Sequence, residues 1–418
     1  MEKSNKVCVI GLGYIGLPTA LMMSSHDVPV IGVDYNKNLI ETLNNGDLTF
    51  EEKGLEELFK QAISKGIEFT NSYISADVYI VAVPTPYDSA TKKIDAKYVT
   101  AAVKEVLKVC GKGACIVIES TVSPGTIDKY VRPAILESGF EIGQDIHLVH
   151  APERIIPGNM IYELEYNSRT IGCDNYEIGE KIKTLYSSFC KGDIIVTDIR
   201  TAEMTKVVEN TFRDINIAYA NELCKICRKE GMDVYEIIKI ANMHPRVNIL
   251  SPGPGVGGHC ISVDPWFLVG DYPDLAQLIH QARKVNDAMP DFVLDRIKTI
   301  MSNSGISDIS RIGLYGITYK ADVDDTRESP TLQLQERVKT SYGNPLKSYD
   351  PMVKTTILDN QYHDFDEFLK NIDLIVIMVS HSHIRQLIKT VPDKFTDKII
   401  LDTVNICDSD AIKDVFAL

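Results

Sequence analysis

One cysteine in a glycine-rich loop has the surroundings of a nucleophile. The sequence there is Gly253-Pro-Gly-Val-Gly-Gly-His-Cys260, and an acid, Asp264, follows four residues later. Five glycines and prolines in this run exclude a regular helix or a central strand, so we expect a loop that approaches another group closely. The thiolate of such a residue can attack a carbonyl carbon. The alternative is a structural cysteine that serves as a small buried hydrophobe.

A glycine motif near the start of the chain predicts a dinucleotide site. The apolar run 7–10 leads into Gly11-Leu-Gly13-Tyr14-Ile15-Gly16, and a second apolar run ends at Asp34. In a strand, glycine turn and helix, the glycines let the backbone approach a pyrophosphate, which then faces the helix N-terminus. Asp34 is placed to bind the adenine-ribose diol and to repel a 2′-phosphate, which favours NAD over NADP. A chance glycine turn is the alternative.

Three polar residues follow apolar runs that we predict to be strands. Thr85 comes after the run 78–83, Thr121 after 114–118, and Glu153 after 147–149. Ligands of parallel sheets bind at the carboxyl ends of the strands, so the threonines are candidates for cofactor or substrate contact. Glu153 could act as a base or hold a water molecule. The alternatives are that the threonines only cap turns or helices and that Glu153 is a solvated loop acid.

The chain from Thr201 to Lys229 has helical periodicity and no proline. A helix of this length spans on the order of 40 Å, enough to join two domains or to form a dimer contact. Lys206 and Asn210 are one turn apart and therefore share a face. Together they could stabilise an oxyanion, although a solvated polar stripe remains the alternative.

The last third of the chain repeats the alternation of strands and helices without a second Gly-x-Gly-x-x-Gly motif. A polar stretch at 303–310 indicates a domain boundary before it. Lys320 and Arg327 place two cations in its first strand-to-helix loop, where they suit phosphate groups. Ion pairs with the neighbouring acids are the alternative.

Composition narrows the class of protein. The 418 residues carry 44 Lys and Arg against 58 Asp and Glu, so a net charge of −14 gives no basic surface for nucleic acid. The segment before the first strand lacks the apolar core of a signal peptide, and no apolar run is long enough to span a bilayer. Nine scattered cysteines do not resemble a disulfide framework, and Cys224 and Cys227 lack a second pair for zinc. We therefore expect a cytoplasmic protein without a metal.

Several motifs together resemble one enzyme family. GLGYIGLPTA, VAVPTP, ESTVSPGT, APER, TAEMTKVVENTFRDINIAYANEL, HPRVNILSPGPGVGGHCISVDPWFL and DDTRESP occur in the order seen in the UDP-glucose/GDP-mannose dehydrogenases. The resemblance covers the whole chain. It implies an α/β fold with an NAD-binding Rossmann domain at 1–198, a central helical dimerisation domain at 199–302, and a Rossmann-like UDP-sugar domain at 303–418.

The resemblance also implies roles for individual residues. It makes Cys260 the nucleophile, Lys206 and Asn210 the oxyanion pair, and Asp264 the acid that helps to activate water or thiol. Glu153 and Thr121 match residues that position water, and Arg327 matches a cofactor contact. The substrate-binding set that it implies contains Glu153, Arg154, Lys206, Asn210, Arg246, Gly257 and Lys320, with Arg246 reaching the sugar of a neighbouring subunit. Some relatives carry a second acid four residues after the glutamate, where this chain has Pro157.

The activity implied is a two-step oxidation of a sugar primary alcohol to an acid through a cysteine thioester, with NAD as the cofactor. Within the family the chain is most similar to the enzymes that act on UDP-N-acetylmannosamine, so a UDP-N-acetylhexosamine is the expected substrate and a homodimer, or a higher oligomer, the expected assembly. UDP-N-acetylglucosamine or UDP-glucose as substrate remains open. A non-catalytic NAD-binding regulatory protein is the alternative of another class.

Overall fold

The computed structural model describes residues 6–258, 260–407 and 414–418. The chain forms two compact units, each with its own parallel sheet. The first unit runs to Glu209 and includes Trp266–Asp271, and the second consists of Asn210–Pro265 and Tyr272–Leu418. The predicted mixed α/β fold is confirmed.

An eight-stranded sheet forms the centre of the first unit. Its strands are β1 Val7–Ile10, β2 Val30–Val33, β3 Glu68–Thr70, β4 Val78–Val81, β5 Ala114–Ile118, β6 Ile146–His150, β7 Arg169–Cys173 and β8 Ile194–Thr197. The order is β3-β2-β1-β4-β5-β6-β7-β8, and only the β6–β7 pair is antiparallel. Every residue of β1, β2, β4 and β5 is buried, as expected for parallel strands covered on both faces.

Helices cover this sheet and complete its core. They are α1 Gly16–Ser25, α2 Lys37–Asn44, α3 Leu55–Ser64, α4 Lys97–Val109, α5 Arg132–Glu137, α6 Met160–Tyr166 and α7 Tyr176–Tyr186. The order of the strands reverses at β1, which lies between β2 and β4. Ligands of such sheets bind in the crevice at the carboxyl ends of the two strands on either side of this reversal, which are β1 and β4.

The predicted long helix is present as α8 Ile199–Glu230, which has 32 residues and is about 48 Å long. The chain passes from the first unit to the second within α8. The next helices are α9 Val234–Ala241, α10 Asp264–Asp271, α11 Gln277–Asp287 and α12 Met289–Ser304. The stretch that carries Cys260 contains no helix or strand between 251 and 258, as its glycines and prolines predict.

The second unit contains a six-stranded parallel sheet. Its strands are β9 Ile312–Tyr315, β10 Lys347–Tyr349, β11 Gln361–Tyr362, β12 Leu374–Ile377, β13 Ile399–Asp402 and β14 Val415–Ala417, in the order β11-β10-β9-β12-β13-β14. Its helices are α13 Pro330–Tyr342, α14 Phe365–Lys370 and α15 Ser382–Thr390. The order reverses at β9, so the loops after β9 and β12 border the ligand crevice expected for this sheet.

In the part of the chain that the structure describes, no helix is both long enough and apolar enough to cross a membrane.

Candidate active site

The loop between β1 and α1 has the backbone geometry that a pyrophosphate requires. Gly11 has a φ of +88°, and a Cβ there would lie 2.6 Å from the carbonyl oxygen of Ala82. A Cβ on Gly16 would lie only 1.9 Å from the carbonyl oxygen of Gly11, whereas one on Gly13 would meet no atom within 4 Å. The first and third glycines are therefore required by packing, and the second leaves the backbone open to a ligand.

The start of α1 and the end of β2 supply the remaining features of a dinucleotide site. No side chain caps α1 at Ile15, and the first turn carries no acid, so its N-terminus can face an anion. Asp34 follows β2, and its carboxylate accepts the backbone N–H of Leu12 at 2.8 Å and of Asn36 at 2.9 Å. Asp34 thus fixes the glycine loop next to its own carboxylate, which is the group expected to bind the ribose. These residues fit NAD.

Three further residues predicted to bind the cofactor lie in the same unit. The ring of Tyr14 packs against that of Phe50, with 4.4 Å between the centroids and an interplanar angle of 36°. Thr85 is buried in the loop after β4, one of the two strands that border the crevice. Thr121 is half-buried in the loop after β5. Their roles as ligand contacts stay predictions.

Cys260 is exposed, so the alternative of a buried structural cysteine is wrong. The other eight cysteines are buried or half-buried, and none of the nine forms a disulfide. The carbonyl oxygen of Cys260 accepts the N–H of Val263 at 3.1 Å and of Asp264 at 2.8 Å. This turn leads directly into α10 and fixes the backbone of the cysteine.

The glycines before Cys260 attach its loop to the segment after β9. Gly258 has a φ of +83° and donates its N–H to the carbonyl oxygen of Arg327 at 3.0 Å. A Cβ on Gly257 would lie 2.7 Å from both the carbonyl oxygen of Glu328 and the Cβ of Tyr319. Glycine is needed here for close packing within the second unit, and the proposed substrate contact of Gly257 remains a prediction.

Asn210 and Asp264 form a buried pair. The amide Nδ2 of Asn210 donates to Oδ2 of Asp264 at 2.6 Å, and both side chains are nearly inaccessible to solvent. Asp264 also starts α10, where a negative charge is favoured by the helix dipole. The sequence predicted a role for each residue but not this hydrogen bond, because 54 residues separate them.

Lys206 lies one turn before Asn210 on α8 and is also buried, with 7% of its surface exposed. The alternative of a solvated stripe is therefore wrong for both residues. Pairing with a ligand anion would offset the cost of burying this ammonium.

Glu153 is buried, so the alternative of a solvated loop acid is wrong. Its Oε1 accepts the backbone N–H of Arg154 at 2.6 Å and of Ile155 at 3.2 Å, and its Oε2 lies 2.5 Å from Nη2 of Arg169. The two backbone donors and the ion pair with Arg169 fix the carboxylate in one orientation. Arg169 is a residue that sequence reasoning missed, since nothing near it in sequence marks a partner of Glu153.

Arg154 is fully engaged with protein acceptors. Its guanidinium donates to both carboxylate oxygens of Glu209 at 3.0 and 2.5 Å, to the carbonyl and hydroxyl oxygens of Ser168, and to the hydroxyl of Thr170. These five hydrogen bonds use all five N–H donors of the side chain. Its predicted contact with substrate would require some of them to be exchanged and stays a prediction.

Glu203 is a second residue that sequence reasoning missed. It lies on α8, three residues before Lys206, and is completely buried. Its carboxylate accepts the N–H of Gly125 at 2.6 Å and of Ile127 at 2.9 Å, so it ties α8 to the loop that begins at Thr121. Burial raises the pKa of Glu203 to about 7. The only signal in the sequence was its position in the TAEMTK motif.

The loop after β9 carries Lys320 and Arg327. The guanidinium of Arg327 binds the Asp325 carboxylate through Nε and Nη2, at 2.6 to 3.1 Å, so the alternative of an ion pair with a neighbouring acid holds for this residue. Lys320 is half-buried. Arg246 is exposed in the segment after α9. Contacts of these three cations with cofactor or substrate stay predictions.

A buried histidine holds this loop in place. Nδ1 of His381, after β12, accepts the N–H of Asp322 at 3.0 Å, so we assign its proton to Nε2. Nε2 lies 3.2 Å from the Asp350 carboxylate, which also accepts the N–H of Thr318 at 3.0 Å. The histidine thus connects the loops after β9, β10 and β12. Among the described residues, no three His, Cys, Asp or Glu side chains gather as a metal site.

Comparison with known proteins agrees with this geometry. Models of the UDP-glucose/GDP-mannose dehydrogenase family match residues 5–190 as the NAD binding domain, 200–288 as the central domain and 313–409 as the UDP binding domain. The matched domains confirm the predicted NAD cofactor and the predicted binding of UDP.

Relatives and solved structures match over nearly the full length. The UDP-N-acetyl-D-mannosamine dehydrogenase of Methanococcus vannielii is 42% identical and covers 97% of this chain and 94% of its own. An NDP-N-acetyl-D-galactosaminuronic acid dehydrogenase of Ralstonia nicotianae is 40% identical, with 95% of each chain covered. The solved structure of the UDP-N-acetyl-mannosamine dehydrogenase of Staphylococcus aureus superposes with a TM-score of 0.88 at 42% identity, covering 99% of this chain and 97% of the other. The chain therefore belongs to the UDP-glucose/GDP-mannose dehydrogenase family and is an NAD-dependent oxidoreductase.

Proposed function

We propose that this enzyme oxidises the primary alcohol of UDP-N-acetyl-D-mannosamine to the carboxylate of UDP-N-acetyl-D-mannosaminuronate. The observation that carries the proposal is an exposed Cys260 in a fixed turn, followed by the buried Asn210–Asp264 pair, in a chain about 42% identical to dehydrogenases named for this sugar. A simple alcohol dehydrogenase needs no nucleophilic thiol. A four-electron oxidation does, because the aldehyde must be held covalently before it is oxidised again.

The chain's own residues account for the covalent steps. The Cys260 thiolate adds to the carbon of the aldehyde and forms a thiohemiacetal, whose oxidation leaves a thioester on the sulfur. Water then attacks the thioester, the C–S bond breaks, and the thiol and the acid are released. NAD supplies the hydride acceptor for each of the two oxidations.

Negative charge develops on oxygen at each addition, and α8 supplies the groups to stabilise it. Lys206 and Asn210 are buried on one face of α8, where an ammonium and an amide N–H interact with an oxyanion more strongly than in water. Asp264 accepts the other amide hydrogen of Asn210 and so orients it. It is also the acid that we propose to assist the thiol or the water.

Hydrolysis of the thioester requires a positioned water. We assign this role to Glu153, with Thr121 as a second contact, because two backbone N–H donors and an ion pair with Arg169 hold the Glu153 carboxylate in a fixed position. Lys320, Arg246 and Gly257 are proposed to bind the sugar nucleotide, and Arg327 to bind the cofactor.

We propose a homodimer formed through α8. Its exposed apolar side chains Val208, Phe212, Tyr219 and Ile226 follow one another at helical spacing and lie within about 40° of one line on the helix surface. An apolar stripe of this kind marks an interaction surface. We also propose that the domains divide at residues 198 and 302. The three matched ranges support these boundaries. A cytoplasmic location stays a prediction.

The experiment that tests the function is an assay of the purified protein with a panel of UDP-sugars. UDP-N-acetylmannosamine, UDP-N-acetylgalactosamine, UDP-N-acetylglucosamine and UDP-glucose are each supplied with NAD+, and NADH is counted per sugar consumed. We expect two NADH per UDP-N-acetylmannosamine. One NADH per sugar would indicate a simple alcohol dehydrogenase, and NAD binding without NADH formation on any sugar would indicate a regulatory protein.

A second substrate has one specific observation in its favour. The relative from Ralstonia nicotianae is named for an N-acetylgalactosaminuronic acid and is 40% identical to this chain. Preferred turnover of UDP-N-acetylgalactosamine in the same panel would replace the mannosamine assignment and leave the chemistry unchanged.

A further inference from the structure

Four polar side chains of the first unit form a buried cluster: Glu119, Glu153, Arg169 and Tyr186. Glu119 follows β5, Arg169 begins β7, and Tyr186 ends α7. Nη2 of Arg169 lies 2.5 Å from Oε2 of Glu153, and Nη1 lies 3.9 Å from Oε1 of Glu119. The hydroxyl of Tyr186 donates to that same oxygen of Glu119 at 2.9 Å. Two carboxylates therefore share a single buried guanidinium.

The guanidinium is held in a fixed position between these acids. Its carbon lies 4.7 Å from the ring centroid of Tyr186 and 5.3 Å from that of Phe189, so the cation stacks on aromatic faces. Arg169 is 5% exposed and Glu119 is 1% exposed, so bulk water does not screen the cluster. A cluster with one cation and two ionised carboxylates would carry an uncompensated buried charge, which is costly.

A proton on Glu119 removes this excess charge. Burial raises the pKa of Glu119 to about 8, and the neighbouring charge of Glu153 acts in the same direction. The other titratable groups near it do not supply a second cation: burial raises the pKa of Tyr186, and burial lowers the pKa of His150, on β6, to about 4. Near neutral pH Glu119 is therefore protonated, and the Arg169 guanidinium is left to the Glu153 carboxylate.

We propose that Glu119 is a positioning residue: by staying protonated it leaves the Arg169 guanidinium to Glu153, and so keeps the Glu153 carboxylate oriented for hydrolysis of the thioester. This inference rests on the proposed role of Glu153. When Glu119 ionises, two carboxylates compete for Arg169, and Glu153 loses part of the interaction that fixes it. Turnover should then fall on the alkaline side.

The substitution Glu119→Gln tests this because glutamine has the shape of the protonated acid and cannot ionise. We expect the full-length variant to turn over within about twofold of wild type at pH 7. At one pH unit above the pKa of Glu119 the wild type should lose about tenfold in kcat, since only about a tenth of Glu119 is still protonated, whereas Glu119→Gln should not. If kcat fell at the same alkaline pH in both proteins, the proposal would be overturned.

Tyr186→Phe provides a second variant that keeps the buried ring. Loss of its hydroxyl removes a hydrogen bond that stabilises ionised Glu119, so the alkaline limb should move to higher pH. Infrared titration supplies a readout that does not depend on turnover. In the difference spectrum of wild type minus Glu119→Gln, which cancels the band of Glu203, the band of a protonated buried carboxyl should be present at pH 7 and lost near pH 8. The absence of such a titrating band from the difference spectrum would overturn the inference.

Glu153→Gln separates failure of this inference from failure of the proposed function. Suppose that Glu153→Gln loses most of its turnover, while kcat of Glu119→Gln still falls at the same alkaline pH as in wild type. This result would refute only the role of Glu119. Wild-type turnover in Glu153→Gln would refute the hydrolytic role of Glu153 and, with it, the inference.

Discussion

Glu203 offers a quantitative test of how α8 is tied to the loop that begins at Thr121. Its buried carboxylate accepts two backbone N–H groups, and burial raises its pKa from the ordinary value of 4.5 to about 7. A raised pKa means that the folded state holds the proton more tightly than the unfolded chain. Stability from this group is therefore complete below about pH 4.5 and is lost as the pH rises toward 7.

The size of the effect follows from the shift. A difference of about 2.5 pKa units corresponds to about 3 kcal/mol at 1.36 kcal/mol per unit. Glu203→Gln cannot ionise, so its free energy of unfolding should rise relative to wild type by about 2.5 kcal/mol between pH 5 and pH 8, since a small part of the effect is already lost at pH 5. At pH 5 the variant should be the less stable protein, by about 1–3 kcal/mol, because the amide accepts one N–H and leaves the other unpaired.

The assay uses the single tryptophan, Trp266, which is buried and belongs to the same unit as Glu203. Thermal unfolding followed by its fluorescence at fixed protein concentration should show the difference in Tm between the two proteins change by roughly 5–10 °C from pH 5 to pH 8. Glu56→Gln, which alters an exposed ion pair with Lys60 in the same unit, should show no such change. Parallel pH curves for Glu203→Gln and wild type would refute the reasoning.

Three further predictions concern the ligand sites. Asp34→Ala should weaken NAD binding and reduce discrimination against NADP, measured by calorimetry; an unchanged ratio of the two dissociation constants would show that Asp34 does not select the cofactor. Asn210→Ala should lower kcat by roughly 10²- to 10³-fold because it removes an oxyanion donor and leaves the Asp264 carboxylate without its amide partner; a loss below twofold would contradict this. His381→Ala should raise KM for the UDP-sugar while NAD affinity stays unchanged, because the loop after β9 loses its anchor. The control is His363→Ala, which replaces an exposed histidine in the same unit. Equal changes of KM in the two variants would contradict the prediction.

The parts of the fold that depend on local pattern were predictable from the sequence. Continuous apolar runs followed by glycine or hydroxyl residues marked β1, β4 and β5, since buried parallel strands have no polar face. Unbroken helical periodicity identified α8, and the Gly-x-Gly-x-x-Gly motif fixed the turn in which Gly11 adopts a positive φ. These features are encoded within a few residues of one another.

Short or half-exposed strands were not predicted. β11 has only two residues, and β8 is a partly exposed edge strand whose apolar run, Ile194 to Val196, is only three residues long. Both strands are formed by pairing with distant neighbours, and that pairing leaves little trace in a local sequence pattern.

Some residues of the candidate site could be predicted from the sequence and others could not. Residue type and spacing identified Cys260, Lys206 and Asn210, because each carries chemistry that its motif makes visible. The groups that orient them could not be identified, because Arg169 pairs with Glu153 and Glu203 binds the Gly125 segment only through tertiary packing. Sequence also could not show that Arg154 uses every N–H donor on protein acceptors.

The thioester is the central claim, and a mass measurement on Cys260 tests it most directly. The enzyme is quenched in acid during turnover of UDP-N-acetylmannosamine and NAD+, digested, and the peptide that contains Cys260 is weighed, with Cys110→Ser as a control that leaves the nucleophile in place. The account predicts a peptide heavier by the acyl group of the oxidised UDP-sugar in wild type and in Cys110→Ser, and no acid formation in Cys260→Ser. Two NADH per sugar from Cys260→Ser, with no adduct on the wild-type peptide, would contradict it.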